Sequence, residues 1–198
     1  MAKCAEFTFR SLGCIAVSFP PDQMRRRSVQ EAFERYHPDM EAMHHGFQTE
    51  PCFICRMVQG EVRSPENIIY EDERALVFLD AYPRAYCYTQ VAPKEHREQV
   101  TGDVTMEEYI ELQRLVYRAS EAVREEVGAE RMYIYSFGSN QGNSHAHWHV
   151  VPLPPSVPYD EQQGAWASWS KGVLKIPPEE MASLARRIDR RLEQFYPA

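Results

Sequence analysis

The sequence predicts an α+β fold: an antiparallel sheet of about five strands, a long helix packed on it, and further helices at both ends. Three observations predict it. The stretches "NIIYEDE", "RALVFLDAYP" and "YCYTQVAPKEH" follow one another with turn residues between them, as consecutive antiparallel strands do. The stretch "DVTMEEYIELQRLVYRASEAVREEVG" places apolar residues three and four apart, the spacing of a helix with one buried face. Two more strand-like runs, "MYIYSF" and the run ending in "HWHVV", return after that helix.

Taken in order, residues 1–50 read as a partly helical N-terminal extension. Pro20-Pro21 and the basic run Arg25-Arg26-Arg27 close its first part. Ser28 can cap a helix over about 29–36, and Pro38 interrupts it. Another helical turn is expected through "DMEAMHHGF", with His44 and His45 on the surface. Residues 51–155 hold the sheet and the long helix. "PCFICRMVQGE" opens them as a Cys-x-x-Cys at a short helix. Asp80 ends the second strand and Pro93 the third. Thr105 and Glu108 form a capping box. Tyr109, Leu112, Val116, Ala119 and Val123 give the helix its core stripe, and Gly128 stops it. Residues 156–198 read as a proline-rich loop followed by a helix from about 178. Met181, Leu184, Ile188, Leu192 and Phe195 share one face of that helix, which packs on the same domain.

Composition narrows the function. The 198 residues suffice for one domain with a proper core. The net charge of −7 argues against nucleic acid or an anionic membrane as partner, so an anionic substrate would need local positive charge. No apolar run approaches membrane-spanning length. Five cysteines, an odd number, do not make a disulfide framework; they suit a reducing compartment, and a cytoplasmic location is expected.

The most informative stretch is "NSHAHWHVVPL". Of the seven histidines, three, His145, His147 and His149, fall at every second position. Read as a strand, the run turns all three imidazoles to one face and Ala146, Trp148 and Val150 to the other. Neighbouring histidines are then roughly 6.6 Å apart, and the outer two roughly 13 Å. Two neighbours could share one metal ion, and three could not unless the strand bends. The residues therefore have separate tasks.

One task is metal binding. Cys52 and Cys55 have the spacing that lets two thiolates chelate one tetrahedral ion, although the same spacing also occurs in buried reduced pairs. His96 and His145, at the ends of neighbouring predicted strands, are the candidates to complete a Cys2His2 site. His147 and His149 are then left for chemistry. A neutral imidazole is a nucleophile toward phosphorus near neutral pH, and a second can donate to an oxyanion or a leaving group. Gln141, Asn143 and Ser144, with the backbone of the preceding turn, suit oxyanions, and Lys94 adds a local cation. A catalytic zinc held by His145 and His147 is a different arrangement open to the same residues.

"HAHWHVV" resembles the His-φ-His-φ-His-φ-φ signature of the histidine triad family. The resemblance extends through "PCFICRMVQGE", "IIYEDERALVFLDAYPRA" and "VAPKEH", in order and spacing, over residues 51–155. The flanks lie outside it and suggest a longer, bacterial-type branch. The resemblance implies a nucleotide hydrolase and a homodimer, with adenine the expected base. His147 would attack the α-phosphorus, form a covalent nucleotidyl-histidine, and release a nucleoside monophosphate when water arrives. His149 would hold phosphate oxygens and assist the leaving group. Cys52, Cys55, His96 and His145 match the ligands of zinc-containing members, with the zinc in a structural role. Asp80 matches a ribose-binding carboxylate and Gln141 a glutamine near the phosphate. Phe78 is counted with the substrate-binding positions.

Three positions depart from the family pattern: Tyr88 replaces a common histidine, Ser136 an asparagine, and Gly142 a serine or threonine. These bear on leaving-group contacts. Related nucleotidyltransferases carry glutamine at the third position of the triad, so His149 favours transfer to water. A nucleotidyltransferase or phosphorylase, and a nucleotide-binding protein with little turnover, are the alternatives.

Overall fold

A computed structural model describes residues 32–61, 67–137 and 143–195. The predicted capping Ser28, the Arg25-Arg26-Arg27 run and Gln141 lie outside them. The helix expected over 29–36 is replaced, within the described part, by a short strand β1 (Arg35–Tyr36). It pairs with β7 (Val173–Leu174), so a segment before the main sheet and one after it meet in a separate two-stranded sheet. Local spacing cannot announce such a pairing, because each strand has its partner over a hundred residues away.

Helix α1 (Met40–Thr49) starts where Asp39 accepts from the Ala42 amide. Helix α2 (Phe53–Val58) carries the Cys-x-x-Cys. The main sheet consists of β2 (Ile68–Glu71), β3 (Ala75–Leu79), β4 (Thr89–Pro93), β5 (Arg131–Tyr135) and β6 (Trp148–Leu153). All neighbours are antiparallel, in the order β2-β3-β4-β6-β5. Between β4 and β5 runs the long helix α3 (Met106–Val127), with the expected capping box at Thr105 and Glu108. Gly128 ends it with φ at 62°, a left-handed conformation that suits glycine. Helix α4 (Pro178–Phe195) closes the described chain.

The α+β architecture read from sequence is therefore the one observed. The alternation of the strands builds two faces. Val77, Leu79, Val91, Trp148 and Val150 point to α3 and α4 and join Leu112, Val116, Ala119, Leu184 and Ile188 in the main core. Burying one such aliphatic side chain contributes roughly 1.5–3 kcal/mol, which holds both helices on one face.

The opposite face carries a row set by register. Phe78 on β3 lies opposite Gln90 on β4, Gln90 opposite His149 on β6, and His149 opposite Tyr135 on β5. A row across four strands is as rigid as the hydrogen-bonded ladder beneath it.

The histidine run corrects the sequence reading in one respect. Strand β6 begins only at Trp148, so His149 alone of the three lies in it. The chain bends at His145, and the lead-in turns successive imidazoles toward different partners.

Candidate functional site

The unpaired face of the sheet floors a chamber of about 1020 Å³. Its lining includes the row Phe78, Gln90, His149 and Tyr135, together with His147 and Asp80. Phe47 from α1 and Phe53 from α2 wall one side, and Trp169 from the C-terminal segment another. Phe53 meets Phe78 edge to face at 6.4 Å. The aromatic cluster is a ready surface for a flat apolar group.

The three histidines of the run divide as their hydrogen bonds dictate. His145 donates from Nε2 to the Pro93 carbonyl at 2.9 Å, which leaves the Nδ1 lone pair free. That Nδ1 lies 3.4 Å from Sγ of Cys52 and 3.6 Å from Sγ of Cys55. Cys55 Sγ lies 3.3 Å from Nδ1 of His96. The ligand atoms of Cys52, Cys55, His96 and His145 all fall within 4.8 Å of one another.

A tetrahedral zinc with ordinary Zn–S and Zn–N bonds separates sulfur from nitrogen by roughly 3.6 Å. The measured edges match, so the residues fit the ion. His96 Nε2 meets Glu98 at 3.3 Å, and Ser144 donates to the same carboxylate at 2.9 Å. Both imidazoles are thus oriented by an outer partner, as metal ligands are. Burial and the neighbouring Cys52 push the Cys55 thiol up to about 11, a cost that a shared cation removes. Burial draws His145 down to about 4 and keeps it unprotonated, as a ligand must be. The cluster can coordinate a metal ion, and its closed tetrad fits a structural zinc.

His147 takes the opposite tautomer. Its Nδ1 donates to the His145 carbonyl at 2.7 Å, which leaves Nε2 with a lone pair on a ring lining the chamber. Ser136 donates to the His147 carbonyl at 2.7 Å and pins the lead-in to the end of β5. Burial lowers the pKa of His147.

His149 packs at 4.6 Å from His147 and 4.9 Å from Tyr135, ring to ring. Burial, then the neighbouring His147 and Arg84, hold it down at about 2, so it stays neutral. Its Nδ1 lies 3.2 Å from the Tyr88 hydroxyl. That hydroxyl also meets Tyr135 at 2.6 Å and accepts from Arg84. One oxygen with one hydrogen and two lone pairs satisfies all three partners, whichever of His149 and Tyr135 it donates to. Tyr88, read from sequence as a departure, is thus the hub of a buried polar network.

Asp80 is both a turn residue and part of the lining. It accepts from the Tyr82 amide at 2.7 Å and from Gln90 at 2.9 Å, and Arg84 stands 3.5 Å away. Asn143 lines the chamber with φ at 52°, and its Oδ1 is buried without a partner. Ser144 belongs instead to a second cavity beside the metal cluster. Lys94 pairs with Glu71 at 2.9 Å and is not part of the chamber wall.

Trp148 packs in the core against Tyr109. Trp166 is buried and donates to the Pro152 carbonyl. Trp169 covers the chamber of its own chain.

Sequence reasoning missed Arg84, Gln90 and Tyr135. A signal existed for Arg84, the only charged residue between Asp80 and Lys94. Gln90 and Tyr135 become visible only when register sets them beside His149.

Comparison with known proteins agrees with the geometry. Residues 61–155 match the HIT domain model. "Protein hit" of Bacillus subtilis is 28% identical over 145 residues, covering 72% of this chain and 95% of that protein. An uncharacterized HIT-like protein of Methanocaldococcus jannaschii is 30% identical over 107 residues, 51% of this chain and 78% of its own. Among solved structures, a hypothetical histidine triad nucleotide-binding protein of Sulfolobus tokodaii shares the fold at TM-score 0.58 and 24% identity, over 72% of this chain and 93% of its own. A Zn-bound histidine triad family protein of Mycobacterium smegmatis aligns at TM-score 0.55 and 27% identity, over 72% and 94%. The tautomers of the histidine run, the Cys2His2 cluster and these relatives lead to one conclusion: the chain belongs to the HIT, or histidine triad, family.

Proposed function

We propose that the chamber binds a nucleoside phosphate and that His147 is the group positioned to attack its α-phosphorus. The observation that carries this reading is the hydrogen bond from His147 Nδ1 to the His145 carbonyl. It fixes a neutral imidazole with its Nε2 lone pair available, which nucleophilic catalysis requires. The base would lie among Phe47, Phe53 and Phe78, and the ribose hydroxyls would reach Asp80. The chamber volume lies at the upper end of that for small-molecule sites, roughly 300–1,000 Å³, and leaves room for a leaving group beyond the monophosphate.

In the chemical step, His147 Nε2 forms a bond to phosphorus, and the bond to the leaving group breaks with its electron pair. The leaving group takes a proton from solvent as it departs. Water then adds to phosphorus, loses a proton to solvent, and displaces the imidazole, giving the nucleoside monophosphate. A dinucleoside polyphosphate and a nucleoside phosphoramidate both fit this scheme, and it suits a hydrolase of the bacterial type with extensions.

A second reading, nucleotide binding with little turnover, is favoured by a specific observation. His149 is buried and tied to Tyr88, and burial lowers its pKa, which favours a neutral ring over one that brings positive charge to a phosphate. The Cys2His2 cluster, which takes His145 from the histidine run as a metal ligand, supports this reading. On either reading a homodimer is expected through the sheet edge, where β5 exposes Ile134 and the nearby Phe137.

One experiment separates the readings. Wild type and His147→Ala are incubated with an adenosine phosphoramidate and a dinucleoside tetraphosphate, with and without added phosphate. Hydrolysis predicts AMP release by wild type alone, reduced at least about a thousandfold in the variant. Phosphate-dependent release indicates transfer. AMP binding by both proteins without turnover selects the binding reading.

A further inference from the structure

A phosphate held in the chamber calls for a cation on its wall. Positive charge is scarce in the lining. Among the described residues, Arg56 and Arg84 are the cations of the lining. Arg56 is committed to Glu50 and Glu61, each at 3.3 Å. Arg84 is different. It is 6% exposed and sits four residues after Asp80 in the turn between β3 and β4. Its guanidinium packs against the rings of Tyr88, at 4.4 Å, and Trp169, at 4.3 Å. Arg35 from β1 holds its backbone carbonyl at 3.1 Å and the Gly172 carbonyl at 3.0 Å. Both flanking segments therefore converge on this one residue, β1 at its backbone and Trp169 at its guanidinium.

Two features point to a ligand. The nearest carboxylate, Asp80, is 3.5 Å away and already accepts two shorter hydrogen bonds, so it offsets the charge only in part. Nε of Arg84 has no partner, and neither has Oε1 of Gln90 nor Oδ1 of Asn143, on two other residues of the same lining. Buried polar atoms are normally paired, so the Arg84 donor, which suits an anionic oxygen, and the two amide oxygens, which suit hydroxyl or N–H groups, mark a place where a polar ligand completes the bonding. A guanidinium stacked on aromatic rings is also preorganised for a phosphate, since its fork needs no ordering.

We propose that Arg84, clamped between Tyr88 and Trp169, is the phosphate-binding cation of this chamber. Its guanidinium brings a positive charge to the lining that also holds His147 and His149. The proposal rests on the nucleotide reading above. It assigns the C-terminal segment a share in the site, because Trp169 forms half of the clamp. The substrate class that follows is one with a full anionic phosphate next to the nucleoside, bound far better than the nucleoside alone.

The test is calorimetric titration of the full-length protein and of Arg84→Gln and Arg84→Lys with AMP, adenosine and inorganic pyrophosphate. Wild type should bind AMP at least tenfold more tightly than adenosine. Arg84→Gln should weaken AMP about thirtyfold, the size of a buried charge-assisted pair, and adenosine less than threefold. Arg84→Lys, which keeps the charge and loses the fork, should fall between.

Equal losses for AMP and adenosine would mean that Arg84 only props up the chamber, and would overturn the proposal while leaving the nucleotide reading intact. Arg84-dependent binding of pyrophosphate without any binding of AMP or adenosine would uphold the anion site and sink the nucleotide reading. Binding of none of the three would overturn both. If Arg84→Gln does not fold, Arg84→Lys decides: AMP must weaken several-fold and adenosine must not.

Discussion

Tyr88 shows how one hydroxyl can organise a site. It is 1% exposed and bonded to Arg84, Tyr135 and His149. Removing that oxygen strips a partner from a buried cation, a second phenol and an imidazole at once. Leaving a buried polar group unsatisfied costs about 1–3 kcal/mol. Tyr88→Phe should therefore destabilise by about 2 kcal/mol in urea unfolding. Tyr135→Phe removes only one of these bonds and should cost about 1 kcal/mol. The double variant should cost clearly less than the sum of the two, because the residues share a bond. Strict additivity would show that the network does not couple. At this scale the sequence was legible for residues whose type names their chemistry. Cys52, Cys55, His96, His145 and His147 could be singled out because thiols and imidazoles are scarce and specifically spaced. Tyr88 and Arg84 could be assigned no task, because phenols and guanidiniums are common. Their meaning comes from a turn that folds Arg84 back over the ring four positions on.

The elements were legible where a local rule sets them. Helix α3 starts at a capping box and ends at a left-handed glycine, and both signals lie within four residues of the ends they mark. Its middle follows the stripe of Leu112, Val116, Ala119 and Val123, all buried against the sheet. The Thr105 side chain accepts from the Glu108 amide, and Glu108 accepts from the Thr105 amide. Thr105→Ala should cost about 1 kcal/mol. Thr105→Ser, which keeps the oxygen, should cost much less, and thermal unfolding of the three proteins measures the difference. Equal losses in both variants would place the effect in the lost methyl group rather than the cap. Where local rules were silent the sequence misled. Residues 35–36 form a strand and not a helix end, because Arg35 and Tyr36 pair with Leu174 and Val173. The histidine run was read as a strand, yet β6 starts at Trp148, because the bonds from Ala146 and His145 to the Arg97 and Pro93 carbonyls hold the chain before it out of the ladder.

For the whole molecule, the Cys2His2 cluster draws together three distant segments. Cys52 and Cys55 come from the start of α2, His96 from the chain just after β4, and His145 from the lead-in to β6. The same lead-in carries His147 two residues on, and α2 carries Phe53 into the chamber wall. Zinc bound there supplies a cross-link between these segments rather than chemistry, since protein atoms provide all four positions of a tetrahedral ion. Its binding energy is then folding energy, because the unfolded chain holds no preformed site. Removing it with a chelator should lower the melting temperature by roughly 10 °C or more, since each kcal/mol shifts a domain of this size by about 2–4 °C and several are at stake. Cys55→Ser should melt near the chelated wild type and respond little to chelator. Nucleotide binding should fade with the fold as temperature rises, not before it. The opposing arrangement, a catalytic zinc on His145 and His147, predicts loss of turnover in a protein whose melting temperature is unchanged. That outcome would also require His147 to release the His145 carbonyl or to ligate through Nε2. Zinc content, melting temperature and turnover, measured on one chelated sample, therefore decide between a strut beneath the chamber and a metal within it.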